Sequence, residues 1–165
     1  MIDINPDLTN MQKQAFKYML DNTTTELLYG GAAGGGKSYL LCAYAIITCL
    51  QYPGVRGLIG RSKLDALKKT TLLTFWDVCS QWDIKAVEHY TYNAQSNVIT
   101  FYNGSSIILK DLFLYPSDAN FDSLGSLELT FACIDEANQI RDGYIIYIRR
   151  VEREYYLSIS NLSRL

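Results

Sequence analysis

The sequence predicts an α/β fold with a mainly parallel central sheet flanked by helices and a β-hairpin inserted near residues 98–109. Three observations carry this reading. A glycine-rich segment, Gly31-Ala32-Ala33-Gly34-Gly35-Gly36-Lys37-Ser38, stands between a short apolar run and a long helical one. Elsewhere short strand-like runs alternate with stretches of helical periodicity. Finally, Leu129 to Ile134 is a continuous apolar stretch of the kind buried on both faces at the centre of a parallel sheet.

Taken in order, Leu8 to about Asp21 reads as a first helix, with Thr9 or Asn10 as its cap. Glu26-Leu27-Leu28-Tyr29 is a strand feeding the glycine-rich segment. Ser38 to Leu50 contains neither Gly nor Pro and is Ala/Leu-rich, a buried helix closed by Tyr52-Pro53-Gly54. Val55 to Ile59 is the next strand, ending in Gly60-Arg61-Ser62. Lys63 to Trp82 has one apolar side (Leu64, Leu67, Leu72, Phe75, Trp76, Cys79) and predicts a single amphipathic helix. Val98–Tyr102 and Ser106–Leu109 flank Asn103-Gly104, a strong hairpin signal. Tyr115 to Gly125 is loop-like, and the Leu129–Ile134 strand delivers Asp135-Glu136 at its C-terminal end.

Composition sets the bounds. With 165 residues, 48% hydrophobic and 19% charged, the chain suffices for one domain with a real core, and disorder is excluded. A net charge of −2 leaves no global nucleic-acid footprint, so any DNA contact falls to a local patch or to parts outside this chain. Cys42, Cys49, Cys79 and Cys133 lack metal-ligand spacing and read as buried thiols in a reducing compartment. The N-terminus is no signal peptide, and no apolar run approaches the roughly 20 residues that span a membrane. A cytoplasmic location, in a host cell if the chain is viral, is expected.

The segment Gly31 to Ser38 satisfies G-x-x-x-x-G-K-[ST], a pattern with a mechanism. Glycines admit φ > 0 turns that aim successive N–H groups at phosphate oxygens. Lys37 then reaches the β- and γ-phosphates and Ser38 joins the Mg²⁺ shell. Gly31, Ala32, Ala33, Gly34, Gly35 and Gly36 supply the cradle, and the strand–loop–helix setting is the one the motif requires. Asp135 at the end of its strand is the metal-holding acid, and Glu136 is placed to orient and deprotonate the attacking water. The fold so read is a P-loop NTPase binding ATP and Mg²⁺.

Other candidates rest on less. The amide of Gln12 offers the donor and acceptor that the adenine N6/N7 edge asks for, with Gln14 as a rival and Phe16 or Tyr18 as stacking partners. Arg61 follows the second strand at the same rim, either as a contact to the γ-phosphate in the transition state or as an exposed helix-start charge. Lys63, Lys68 and Lys69 form either a phosphodiester-binding face or a solvated one. His89 receives no catalytic role.

These blocks together resemble the large terminase subunits of tailed bacteriophages, the ATPases that package DNA into proheads. The resemblance runs from Leu8-Thr9-x-x-Gln12 through Leu28–Ser38, Gly60-Arg61-Ser62 and the hairpin Ile99–Ser105 to Leu124–Thr130 and Ile134-Asp135-Glu136-Ala137. It implies Gln12 as the adenine-recognition residue and Lys37, Arg61 and Glu136 as catalytic groups, with Ser38 and Asp135 holding the metal. It also implies double-stranded DNA, a small terminase subunit and a portal protein as partners, a homo-oligomeric ring and no membrane. Many members carry an arginine in the phosphate loop where this chain has Ala33, so any stabilising arginine is Arg61 or comes from a neighbouring subunit.

On this reading residues 1–140 are an ATPase domain incomplete at its C-terminal side. Residues 141–165 are a divergent helical tail, no nuclease domain is present, and the chain is a truncated or split product with an open sheet edge. Two other functions fit the same motifs. One is a helicase or recombinase-type DNA-dependent ATPase. The other is a nucleotide-binding remnant without turnover.

Overall fold

Local capping and alternation account for most of the elements. In a computed structural model, the described residues are 4, 6–21, 23–30, 34–113, 115–116, 124, 127–140 and, for the backbone, 155–160. Helix α1 (Asn10–Leu20) starts at a reciprocal capping box: Thr9 Oγ1 accepts from Gln12 N at 3.3 Å, and Gln12 Oε1 accepts from Thr9 N at 2.8 Å. Next come β1 (Glu26–Gly30), α2 (Lys37–Gln51) and β2 (Arg56–Arg61). They are followed by α3 (Leu64–Lys69), α4 (Thr71–Gln81), β3 (Tyr90–Asn93), β4 (Val98–Phe101) and β5 (Ser106–Asp111). The chain then forms β6 (Phe131–Asp135), a 3₁₀ turn (Ala137–Gln139) and β7 (Tyr155–Ser160).

These strands make one sheet in the order β1-β7-β6-β2-β5-β4-β3. From β1 to β5 in that order every pairing is parallel, and β4 and β3 extend the sheet antiparallel. Period-two alternation sends successive residues to opposite faces. Ile59, Phe131 and Cys133 therefore join the larger core with α1, α2 and α4, whereas Leu58, Ala132 and Ile134 join a second one with Leu112, Leu124 and Leu129. Both faces of β2 and β6 are buried, as expected of central parallel strands.

Helix α2 is the pivot of the larger core, with Leu40 to Thr48 buried all round. Its C-terminal carbonyls are met from the hairpin turn. Asn103 Nδ2 donates to Cys49 O at 2.7 Å and to Leu50 O at 3.3 Å, and Ser105 Oγ donates to Tyr52 O at 2.7 Å. Close packing against the sheet depends on Gly57, where a Cβ would collide with the Phe131 ring. Among the described residues no helix is long and apolar enough to cross a membrane.

Three expectations are corrected. The single helix over Lys63–Trp82 is broken at Thr70 (φ −130°, ψ −74°) into α3 and α4. Thr70 Oγ1 donates back to Ala66 O at 2.8 Å, a competing bond of the type that bends helices at threonine. The hairpin is not a pure insertion, because β5 pairs in parallel with β2 from Arg56↔Ser106 to Arg61↔Asp111 and so belongs to the parallel body. The tail 141–165 is not wholly helical: Tyr155–Ser160 is a strand lying between β1 and β6. Its run Tyr-Tyr-Leu-Ser-Ile-Ser opens on two aromatics and then alternates apolar Leu157 and Ile159 with serines, a composition suited to a pleated strand. The rest of the expected helical tail and most of the loop over Tyr115–Gly125 lie outside the described residues.

Candidate functional site

In a parallel sheet the C-terminal ends of the strands share one rim, and open α/β folds bind ligands there. Here β1 runs into the glycine-rich segment, β2 ends at Arg61 and β6 ends at Asp135. Gly60 pairs with Ile134, so Arg61 and Asp135 stand one step beyond paired residues and face the same rim. Gly31, Ala32 and Ala33 lie outside the described residues. From Gly34 onward the loop is seen: Gly34 and Gly36 adopt left-handed backbone, with φ of 80° and 67°, and exposed Gly35 lies between them. Gly36 is the N-cap residue of α2, and Lys37 and Ser38 form its first turn, with Lys37 buried.

Gln12 reaches this loop from α1. It is buried, and its Nε2 donates to Gly36 O at 2.9 Å while its Oε1 holds the Thr9 amide. The capping box that starts α1 therefore also clasps the phosphate loop. A Cβ on Gly36 would strike the Gln12 amide, so glycine is required there by both space and backbone. The rival Gln14 is exposed, Phe16 packs against the core, and Tyr18 is exposed.

Asp135 is the hub. It is buried, and its carboxylate is approached from three elements. Ser38 Oγ lies 3.4 Å from Oδ1 and 3.3 Å from Oδ2, Thr71 Oγ1 donates to Oδ2 at 2.6 Å, and Arg61 Nη1 lies 3.7 Å from Oδ2. The guanidinium also donates from Nη1 to Thr70 Oγ1, whereas its Nε is buried with no hydrogen-bond partner among the described residues. A buried cationic donor left unpaired is costly, and an anionic ligand would relieve it. Burial is the main cause that holds the Cys42 thiol protonated, well above its usual range, with Asp135 and Cys79 adding to it.

Glu136 follows directly in left-handed backbone (φ 55°, ψ 49°) as the cap of the 3₁₀ turn. A non-glycine residue there costs about 1–2 kcal/mol, and such strain concentrates at functional positions. Beyond it, Gln139 Oε1 accepts from Ser62 Oγ at 3.2 Å, joining the segments that follow β2 and β6.

Ser38, Asp135 and Arg61 are thus brought together, and Gln12 joins them through Gly36. Lys63 and Lys69 are exposed on or beside α3. Sequence reasoning missed Thr70 and Thr71. Two adjacent β-branched hydroxyl residues inside a helical pattern were the available signal, and it is a faint one.

Among the described residues no cluster of three or more His, Cys, Asp or Glu is placed to hold a metal. Magnesium takes one or two carboxylates and completes its shell with water and substrate phosphates. A hard carboxylate beside a serine hydroxyl, Asp135 with Ser38, is a donor set that fits it.

No family model matches this sequence, and no curated protein does. Solved structures do match. The large terminase of bacteriophage HK97 superposes with a TM-score of 0.70 at 14% identity, over 96% of this chain and 34% of that one. The large terminase of a thermophilic bacteriophage, in complex with ADP, gives a TM-score of 0.68 at 10% identity, over 93% of this chain and 39% of its own. The Thermus phage P74-26 large terminase ATPase domain gives 0.66 at 16%, over 96% and 66%. The chain therefore spans about two fifths or less of the two full terminases. At identities this low the shared property is the fold, and that fold is the one these phage terminase ATPase domains adopt.

Proposed function

We propose that the chain is the ATPase part of a double-stranded DNA packaging motor and hydrolyses ATP with Mg²⁺ at this rim. The observation that supports this best is the meeting of Ser38, Asp135 and Arg61 beside a glycine-rich helix start. The loop amides from Gly31 to Gly36 and the buried Lys37 ammonium would neutralise phosphate charge, as preorganised donors do in such sites. Ser38 and Asp135 would hold the magnesium ion, which when bound spreads the charge of the β- and γ-phosphates. Glu136 accepts the proton of the attacking water, and Arg61, whose Nε lacks a partner among the described residues, binds the γ-phosphate.

Gln12 recognises adenine in this reading. Its carbonyl keeps a second lone pair and its amide a second hydrogen after bonding Thr9 and Gly36, so base recognition does not break the clasp. The packaging role draws on the shared fold, one example of which was solved with ADP. By the same resemblance the partners are DNA, a small terminase subunit and a portal protein, and the working form is a ring.

The test is steady-state ATPase activity beside nucleotide binding. Glu136→Gln should lower kcat by about 10²-fold or more while leaving nucleotide affinity near that of wild type. Lys37→Ala should lose both. Nucleotide binding by the wild type without turnover, unaltered by Glu136→Gln, would instead identify a remnant. Strand separation on forked DNA would favour a helicase.

A further inference from the structure

Besides Ser38, the described side chains that reach the Asp135 carboxylate are Arg61 and Thr71. Thr71 is 1% exposed and sits 2.6 Å from Oδ2. An ionised carboxylate only accepts, so the threonine hydroxyl is the donor, and bonds of this charge-assisted kind are the strong ones.

The residue before it handles the guanidinium. Thr70 Oγ1 accepts from Arg61 Nη1 and passes its own hydrogen to Ala66 O. Two adjacent hydroxyls therefore divide the work: Thr71 holds the acid and Thr70 holds the base next to it. The division exists because the helix breaks at Thr70, which makes Thr71 the first residue of α4. Cys42 Sγ lies 3.5 Å from Thr71 O, which ties this first residue to the same α2 that carries Lys37 and Ser38.

The two carboxylate oxygens consequently differ. Oδ2 takes the Thr71 hydrogen bond, faces Arg61 and lies 3.3 Å from Ser38 Oγ, whereas Oδ1 has Ser38 Oγ alone, at 3.4 Å, among the described side chains. We propose that Thr71 is a positioning residue that fixes the rotation of the Asp135 carboxylate, turning Oδ1 with the Ser38 hydroxyl toward the cation of a magnesium–nucleotide complex. This rests on the nucleotide reading above. Without the anchor the plane of the carboxylate is held only by Ser38 and Arg61 among the described side chains, and the donor pair is no longer pre-set. Partners of this kind behind a metal ligand are worth about 10–100-fold in metal affinity.

The experiment measures the affinity of the full chain for a fluorescent ADP in EDTA and in saturating Mg²⁺, with thermal melting alongside. Thr71→Val keeps the shape and removes the hydroxyl, and Thr71→Ser keeps the hydroxyl. Thr71→Val should leave the EDTA affinity within about twofold of wild type and cut the gain from Mg²⁺ about tenfold or more, with Thr71→Ser restoring it. Mn²⁺ bound to the ADP complex, read by electron paramagnetic resonance, should weaken in parallel. Thr71→Ala carries the same expectation if the valine variant does not fold. An unchanged Mg²⁺ gain in Thr71→Val overturns the proposal. So does an equal loss in EDTA and in Mg²⁺, because that pattern marks a structural role alone. A wild type that binds ADP in neither condition removes the nucleotide reading itself, and the proposal with it.

Discussion

Gly36 concentrates the logic of the site in one residue. Its left-handed backbone starts α2 at the angle that points Lys37 and Ser38 at the rim, and its missing Cβ is the space that Gln12 occupies. Gly36→Ala should therefore cost about 1–2 kcal/mol in backbone strain alone and weaken ADP binding by tenfold or more, measured by chemical denaturation and by titration. A variant that binds ADP as wild type does would show that the clasp is dispensable. Asp21 does simpler work at the end of α1. Its carboxylate accepts from Thr24 N at 2.5 Å and from Thr23 N at 2.8 Å, which with the Thr hydroxyls holds its pKa down at about 2. The folded value is below the ordinary 3.8, so the stabilisation is present above 3.8 and is lost as pH falls through about 2. The melting-temperature advantage of wild type over Asp21→Ala should thus be flat at neutral pH and shrink across that window. The placement of Gly36, Lys37, Ser38 and Asp135 at one rim was legible in the residues themselves, since they belong to patterns whose chemistry dictates the spacing. The Gln12–Gly36 bond was not legible, because it joins residues from separate elements and leaves no local signal.

At the level of elements, the hydrophobic periods were sufficient for α1, β1, α2, β2, the β4–β5 hairpin and β6, and they failed at α3–α4. An apolar stripe continues across Thr70 because both helices face the same core, through Leu67 before the break and Leu72 and Phe75 after it. Periodicity reports which face is buried and is silent about a hydroxyl that bonds back to Ala66 O. The helix–hairpin junction shows the converse, a feature whose second function emerges only in three dimensions. Asn103-Gly104 is readable as a turn, with Gly104 at φ 83°, yet the Asn103 side chain also caps α2 through Cys49 O and Leu50 O. Asn103→Ala should leave both carbonyls without this donor and cost about 1–2 kcal/mol, while Asn103→Asp, which keeps the turn but cannot donate, should lose a comparable amount. Equal stability of wild type and Asn103→Asp in urea unfolding would reduce Asn103 to a turn residue.

The whole molecule turns on β7. The strand bearing the phosphate loop and the strand bearing Asp135 are not neighbours, since β7 lies between them. It pairs with β1 from Glu26↔Tyr156 to Gly30↔Ser160 and with β6 from Phe131↔Tyr155 to Asp135↔Ile159. Among the described residues β1 has no other strand partner, so the loop is anchored to the sheet only through this late segment. β7 thus fills the space between β1 and β6. The sequence concealed it because a central parallel strand is recognised by its partners, which here come from the far end of the chain. Ser158 is the sharpest place to test this, being paired to Leu28 on one side and Ile134 on the other. Proline there removes a backbone donor from a strand bonded on both sides, where proline is not tolerated. Ser158→Pro should lower stability by about 1–3 kcal/mol or more and uncouple β1 from β6, so that ADP binding falls with it. A chain ended at residue 140 should go further, losing cooperative melting and gaining affinity for an apolar dye as the faces of β1 and β6 open. Cooperative melting at the wild-type temperature with retained ADP binding in that shortened chain would show that β1 and β6 can pair directly, and that β7 is an addition to the sheet instead of its keystone.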